Sequence, residues 1–331
     1  KNSWVRFEYL LWDIRPESSR MGANLANGVN LDGFTFDNNG DLLTDGIARV
    51  LTTAGLTLND NNGARVTVGL PVMFGGDLEI SAFILDQAGD NISAPELPTN
   101  PANLIPSYIA TTTLTNGLPG SNILLYDRSF DVSYESSVWG GDVKYVFDTG
   151  VPGPGLKVRP MVGVRYLNIE EGMTQKGVFD GLGTLTPLTS VIESTTENHL
   201  FGSLIGGRVE YQHPWFTIGA EPRIGLGVNR YNARVRTSNL RSVNDGKFTT
   251  EEDDMIFSPV VEGNVYGRIH VSENFTLHGG FQWIYATEVT RPANNIYYND
   301  NGLANPPGII VKSKTEEYFI QGLTAGCEIK F

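Results

Sequence analysis

Residues 216–229 read FTIGAEPRIGLGVN. Phe216, Ile218, Ala220, Ile224, Leu226 and Val228 share one parity, while Glu221, Arg223 and Asn229 share the other. In an extended chain successive side chains point to opposite faces, so the segment predicts a strand with one apolar and one charged face. Its length suits the roughly nine to eleven residues that a tilted strand needs to cross a bilayer.

Working outward, the same alternation recurs in nine further segments. Val5, Phe7 and Tyr9 oppose Arg6 and Glu8; Val66, Val68 and Leu70 oppose Arg65 and Thr67; Leu78, Ile80 and Ala82 oppose Asp77 and Glu79. Trp139, Val143 and Tyr145 oppose Asp142 and Lys144; Val158, Val162 and Val164 oppose Arg159 and Arg165; Phe201, Ile205 and Val209 oppose Arg208 and Glu210. Val261, Val265 and Ile269 oppose Glu262, Asn264 and Arg268; Leu277 and Phe281 oppose His278 and Gln282; Phe319, Leu323 and Ile329 oppose Glu328 and Lys330. The fourth segment, about 129 to 147, reverses polarity in its upper half, where Asp131, Ser133 and Glu135 take the parity of Trp139 and Val143. A strand that leaves lipid for water in constant register explains this; a bulge at Gly140-Gly141 is the rival explanation.

The connections alternate in length. Short ones fall at Gly75-Gly76, 148–155, 212–214 and 272–274, and long ones span about 14–61, 88–128, 171–196, 237–253 and 291–316. Outer-membrane barrels pair short periplasmic turns with long extracellular loops in this way. Phe74, Phe147, Tyr211, Phe216, Phe275 and Phe331 lie beside the short turns, and Tyr166, Phe201, Phe257, Tyr285 and Phe319 lie toward the long loops, as two interfacial girdles require. The expectation is one all-β domain over 1–331: a transmembrane, antiparallel, up-and-down barrel of ten strands with both termini in the periplasm.

Composition narrows the function. No run approaches the eighteen or so apolar residues of a spanning helix. A formal charge of −13 without Lys/Arg clusters argues against nucleic acid. The single Cys327 allows no internal disulfide, and four scattered His residues offer little for a metal site. Lys1 opens directly into a strand-like run, so any export signal is expected to lie outside this numbering.

The C-terminal run from Thr324 through Gly326, Ile329 and Phe331 resembles the signal read by the bacterial barrel-assembly machinery, with Cys327 where a larger apolar residue is usual. Residues 163–171, 201–229 and 258–292 resemble the β-barrel porin family described from Planctomycetes. The resemblance implies an outer-membrane barrel of a Gram-negative-type cell envelope, and no established substrate.

The inward face carries the chemistry: Arg6, Glu8, Arg65, Glu79, Asp142, Lys144, Arg165, Arg208, Glu210, Glu221, Arg223, Glu262, Arg268, Glu328 and Lys330. The signs are mixed, and ten strands enclose little space. A plug of ion pairs is therefore favoured over a narrow pore lined by the same groups, whose ion selectivity would need a ring of one sign. Asp37, Asn39, Asp41 and Asp45 form an oxygen-rich cluster that could hold Ca²⁺ within loops or toward lipopolysaccharide, although solvated turns are the plainer reading. No cofactor is otherwise expected. Only His199 falls near the outer rim and no Ser-His pairing is visible, so the expectation is a non-enzyme. Apolar loop stretches at 104–109 and 306–311 suggest exposed contact surfaces for a homo-oligomer, a surface array or other outer-membrane components. The functional expectation is a structural or interaction role carried by the loops, with passive diffusion porin as the alternative.

Overall fold

The computed structural model describes residues 2–19, 21–23, 34–36, 42–49, 51–72, 75–94, 108–115, 118–150, 153–180, 187–300 and 308–331. The alternation read above becomes a closed antiparallel ring of ten strands: β1 (Trp4–Ile14), β2 (Leu58–Val72), β3 (Gly76–Leu85), β4 (Ser129–Phe147), β5 (Gly155–Phe179), β6 (Leu188–Gln212), β7 (Phe216–Ser238), β8 (Val260–His270), β9 (Phe275–Thr290) and β10 (Thr315–Lys330). Each strand pairs with its sequence neighbours, and β1 closes on β10 with Arg6 opposite Glu328. Closure leaves no edge to be solvated inside lipid.

In the lower half the outward parity is apolar and exposed, for example Val143, Val164, Ile205, Ile218, Val265 and Phe281. This band is the lipid face. Strands β5, β6 and β7 run 25, 25 and 23 residues, more than twice what a bilayer requires, so they project well beyond it. On β4 the register against β5 is unbroken from Ser129 to Val146. Phe130, Val132, Tyr134 and Val138 are buried on the parity that carries Asp142 and Lys144 lower down. Gly140-Gly141 therefore holds no bulge. Both faces invert because the solvent inverts: outside the membrane, water lies on the outer face and the apolar groups turn inward.

The same inversion corrects three expected loops, the first being 88–128, where Ala88–Ala94 is a strand paired with the upper part of β4. Residues 171–196 are largely strand, since β5 continues to Phe179 and β6 begins at Leu188. Within 237–253, the strand Lys247–Phe257 pairs with the upper part of β7. Register shifts occur elsewhere, between Trp12 and Ile14 on β1 and between Ala286 and Val289 on β9, where Asp60 and Glu288 adopt positive φ of 57° and 55°.

Above the membrane the barrel is filled by a hydrophobic core. Trp12, Ile14, Tyr134, Ile169, Met173, Ile192 and Tyr318 line the wall, and Met21, Leu56, Ile109, Ile296 and Ile309 enter from the connections. This corrects the expectation of exposed apolar loop stretches: Ile109, Ile309 and Val311 are buried in this core. Residues 104–107 and 306–307 of those stretches lie outside the described residues, as does Phe74. Burying each large side chain contributes about 1.5–3 kcal/mol, a sum that holds these connections as a cap on the barrel.

Candidate functional site

Within the lipid-embedded half, parity alone delivers charged side chains to the axis from every strand except β9, which contributes His278 and Gln282. Near the periplasm, Arg159 Nη2 donates to Glu210 Oε2 at 2.7 Å while its Nη1 faces Asp77 at 3.5 Å. Arg268 lies 3.5 Å from Glu210, which also accepts from Tyr266 Oη at 2.6 Å. Arg6 holds Glu328 through Nη2 at 2.7 Å and Nε at 3.2 Å. Higher up, Arg208 crosses the lumen to grip Glu79 with both terminal nitrogens at 2.7 Å, and its Nε donates to Glu221 at 2.9 Å.

Lys144 completes that knot, 3.1 Å from Glu221, 3.6 Å from Glu79 and 3.5 Å from Asp142. Glu262 is shared by Arg165 and by Arg223, the latter at 2.9 Å. Arg65 reaches Glu8 at 3.9 Å and stacks over Trp12, 5.2 Å from the ring, where the polar lumen meets the apolar cap. Arg6, Arg65, Lys144, Arg159, Arg165, Arg208, Arg223 and Arg268 thus face Glu8, Asp77, Glu79, Asp142, Glu210, Glu221, Glu262 and Glu328, an even balance of sign. Lys330 points inward at the periplasmic mouth and makes no ion pair among the described residues. Among these groups the remaining space is a cavity of about 30 Å³, room for a water or two.

Fourteen of the fifteen charged residues singled out from sequence therefore form ion pairs inside the barrel, and eight of them, Glu79, Asp142, Lys144, Arg165, Arg208, Glu221, Arg223 and Glu262, join in one connected knot. Sequence reading left out Asp77, Arg159, Tyr266 and His278. Parity already put Asp77, Arg159 and His278 inside; what it lacked was their height and their partners.

A second knot, also unanticipated, sits above the membrane-spanning segments. Arg291 is 2% exposed and pairs in parallel with both oxygens of Glu171 at 2.8 Å. It also donates to Arg15 O and to Tyr134 Oη, each at 3.1 Å. Glu17, likewise 2% exposed, accepts from Ala293 N and from Ser19 Oγ, each at 2.9 Å. Burial, reinforced by Glu316, pushes the Glu17 carboxyl up to about 8, against the opposing pull of Arg291. Glu316 is raised too, chiefly by burial. These contacts tie the cap to the wall: Glu171 belongs to β5, Arg291 and Ala293 to the segment after β9, and Glu17 to the segment after β1.

Of the expected Ca²⁺ cluster, Asp37, Asn39, Asp41 and the side chain of Asp45 lie outside the described residues. His199 faces outward rather than into the barrel mouth. Its Nδ1 lies 2.7 Å from Tyr166 Oη and its Nε2 lies 3.1 Å from Glu197.

A family model described as Putative beta barrel porin-7 matches residues 4–331. No curated protein matches the chain. Among solved structures, the chain is similar to the outer membrane protease OmpT from Escherichia coli, at 10% identity and TM-score 0.48, covering 100% of this chain and 97% of that one. It is also similar to the toluene transporter TodX of P. putida, at 7% identity and TM-score 0.21, covering 100% and 90%. The whole-chain likeness to a protease corrects the expectation of a non-enzyme: that exclusion does not stand. At 10% identity the likeness brings no activity and no catalytic residue to this chain.

Proposed function

We propose that this chain, which belongs to the Putative beta barrel porin-7 family and is a barrel of the bacterial outer membrane, is a closed one whose role is structural or interactive. The observation that carries the reading is two obstructions in series: the ion-pair network in the membrane and the apolar core above it. A solute would have to separate Arg208 from Glu79 and also displace the side chains around Trp12 and Tyr134. The contact surface on this reading is the outer, polar face of the projecting strands, including Asp131, Ser133, Glu135 and the run Glu251–Asp254, rather than the apolar loop stretches.

Passive diffusion is the second reading, and the family's description as a porin favours it. It requires the cap and the network to open together. Conductance of the purified barrel in planar bilayers separates the two. Sparse, unstable current supports the closed barrel. Steady channels in the unmodified protein overturn it.

A further inference from the structure

The lipid face carries a depression bordered by a charged cleft. Across β2 to β5, Val66, Ala82, Gly141 and Tyr166 are direct register partners on the outward parity. The two middle positions have almost no side chain. Ile84 and Trp139, paired one row higher, wall the hollow, which encloses about 640 Å³ at the level of the outer aromatic girdle. It opens sideways into lipid, so its occupant must come from the bilayer.

Continuing up β4 and β5 on the same parity, the surface becomes a polar cleft of about 460 Å³ whose walls include Glu135, Glu170 and Glu197. Glu170 and Glu197 stand directly opposite each other on β5 and β6. Like charges so placed repel; Glu197 is met by His199 Nε2 at 3.1 Å and Glu135 accepts from Gln87 at 2.6 Å, which leaves Glu170 as the carboxylate with no cation against it among the described residues. The cations of β7 do not supply one: Arg234 pairs with Glu251, and neither it nor Arg230 forms an ion pair with these three carboxylates among the described residues. Asn168, 3% exposed, lies on β5 between the hollow and the cleft. Its amide donates to Glu170 at 3.2 Å, while its Oδ1 has no hydrogen-bond partner among the described residues.

We propose that this surface binds one membrane amphiphile bearing an ammonium head, with its alkyl chain in the hollow and its head among Glu135, Glu170 and Glu197, donating to Asn168 Oδ1. A second copy of this chain fits poorly, because pairing the two faces would oppose the same carboxylates. An anionic head is repelled for the same reason. The site is independent of whether the lumen conducts.

The test uses the full chain in a neutral maltoside detergent, titrated with hexadecylammonium, hexadecanol or hexadecyl sulfate and read by native mass spectrometry. One hexadecylammonium should bind per barrel, roughly tenfold more tightly than the alcohol, as charge-assisted hydrogen bonds imply. Glu170→Gln with Glu197→Gln should lower that affinity to the alcohol's level. Ala82→Leu, which fills the hollow from the lipid side, should abolish saturable binding of both. Glu193→Gln, higher on β6, is the charge control, and circular dichroism confirms that each variant is folded. Equal binding of amine and alcohol, tighter binding of the sulfate, or unchanged binding in folded Ala82→Leu overturns the proposal.

Discussion

Arg208 on β6 and Glu79 on β3 meet across the barrel axis through two parallel hydrogen bonds of 2.7 Å, each residue under 5% exposed. Bidentate geometry makes this a strong contact, and burial makes its loss asymmetric. Arg208→Ala leaves Glu79 and Glu221 facing each other with Lys144 as their shared cation and Arg223 3.9 Å from Glu221. The expected cost is about 3–5 kcal/mol in reversible unfolding from detergent micelles. The double variant with Glu79→Leu should recover a good part of it, because the orphaned carboxylate is gone. Equal stability of the single and double variants would show that the pair is not coupled.

The knot around Arg291 predicts a pH dependence of the cap. The Glu17 carboxyl holds its proton up to about 8 when the cap is docked, against an ordinary value of 4.5. Between those values the docked state binds a proton that the undocked state has released, so docking weakens as pH rises. The contribution is fully present below about 4.5 and is lost as pH passes through about 8. Glu171, Glu316, Arg291 and Tyr134 are the other titratable groups facing this cluster. Amide exchange of residues 291–298 should therefore be slower at pH 5 than at pH 9, after correction for intrinsic rates. Glu17→Gln should flatten the difference, and a wild-type cap equally protected at both values would refute the assignment.

Trp12 marks the seam between the two fillings. Fully buried, it lies 5.5 Å from Phe83 and beneath Arg65. Trp12→Ala removes the largest side chain of the core and one face of the Arg65 guanidinium. A loss of about 3–5 kcal/mol is expected from the cavity alone. On the closed-barrel reading the variant also gives more current than wild type in planar bilayers. Unchanged stability would mean that the cap does not bear on the barrel at this point.

Much of the architecture was legible because lipid imposes a strict rule. Wherever Val158, Val162 and Val164 or Phe201, Ile205 and Val209 alternate with charge, the solvent on each side is known and the strand follows. The rule lapses above the girdles. There Met173, Gln175 and Gly177 face inward while Thr174 and Lys176 face out, so a reading tuned to apolar-outward strands takes 171–196 for loop. The site was legible by parity and opaque by distance. Arg208 and Glu79 are 129 positions apart, and nothing in either segment states that they share a height on opposite walls. Arg291 and Glu17 fall in irregular connections, which have no period to read at all.

The inversion along β4 yields the sharpest test, because it compares one strand and one face in two solvents. Val143 and Ser133 share the outward parity, ten positions apart in unbroken register. Val143 lies in the lipid band and is 39% exposed; Ser133 lies above it beside Asp131 and Glu135. An arginine in the lipid band costs about 2–4 kcal/mol near the midplane, while one in water costs almost nothing. Val143→Arg should therefore destabilise the barrel in lipid vesicles by that amount, and Ser133→Arg should leave it unchanged, helped slightly by its acidic neighbours. If the two arginines cost the same, the boundary between membrane and water does not lie between these residues, and the inward turn of Phe130, Val132 and Tyr134 would need another cause.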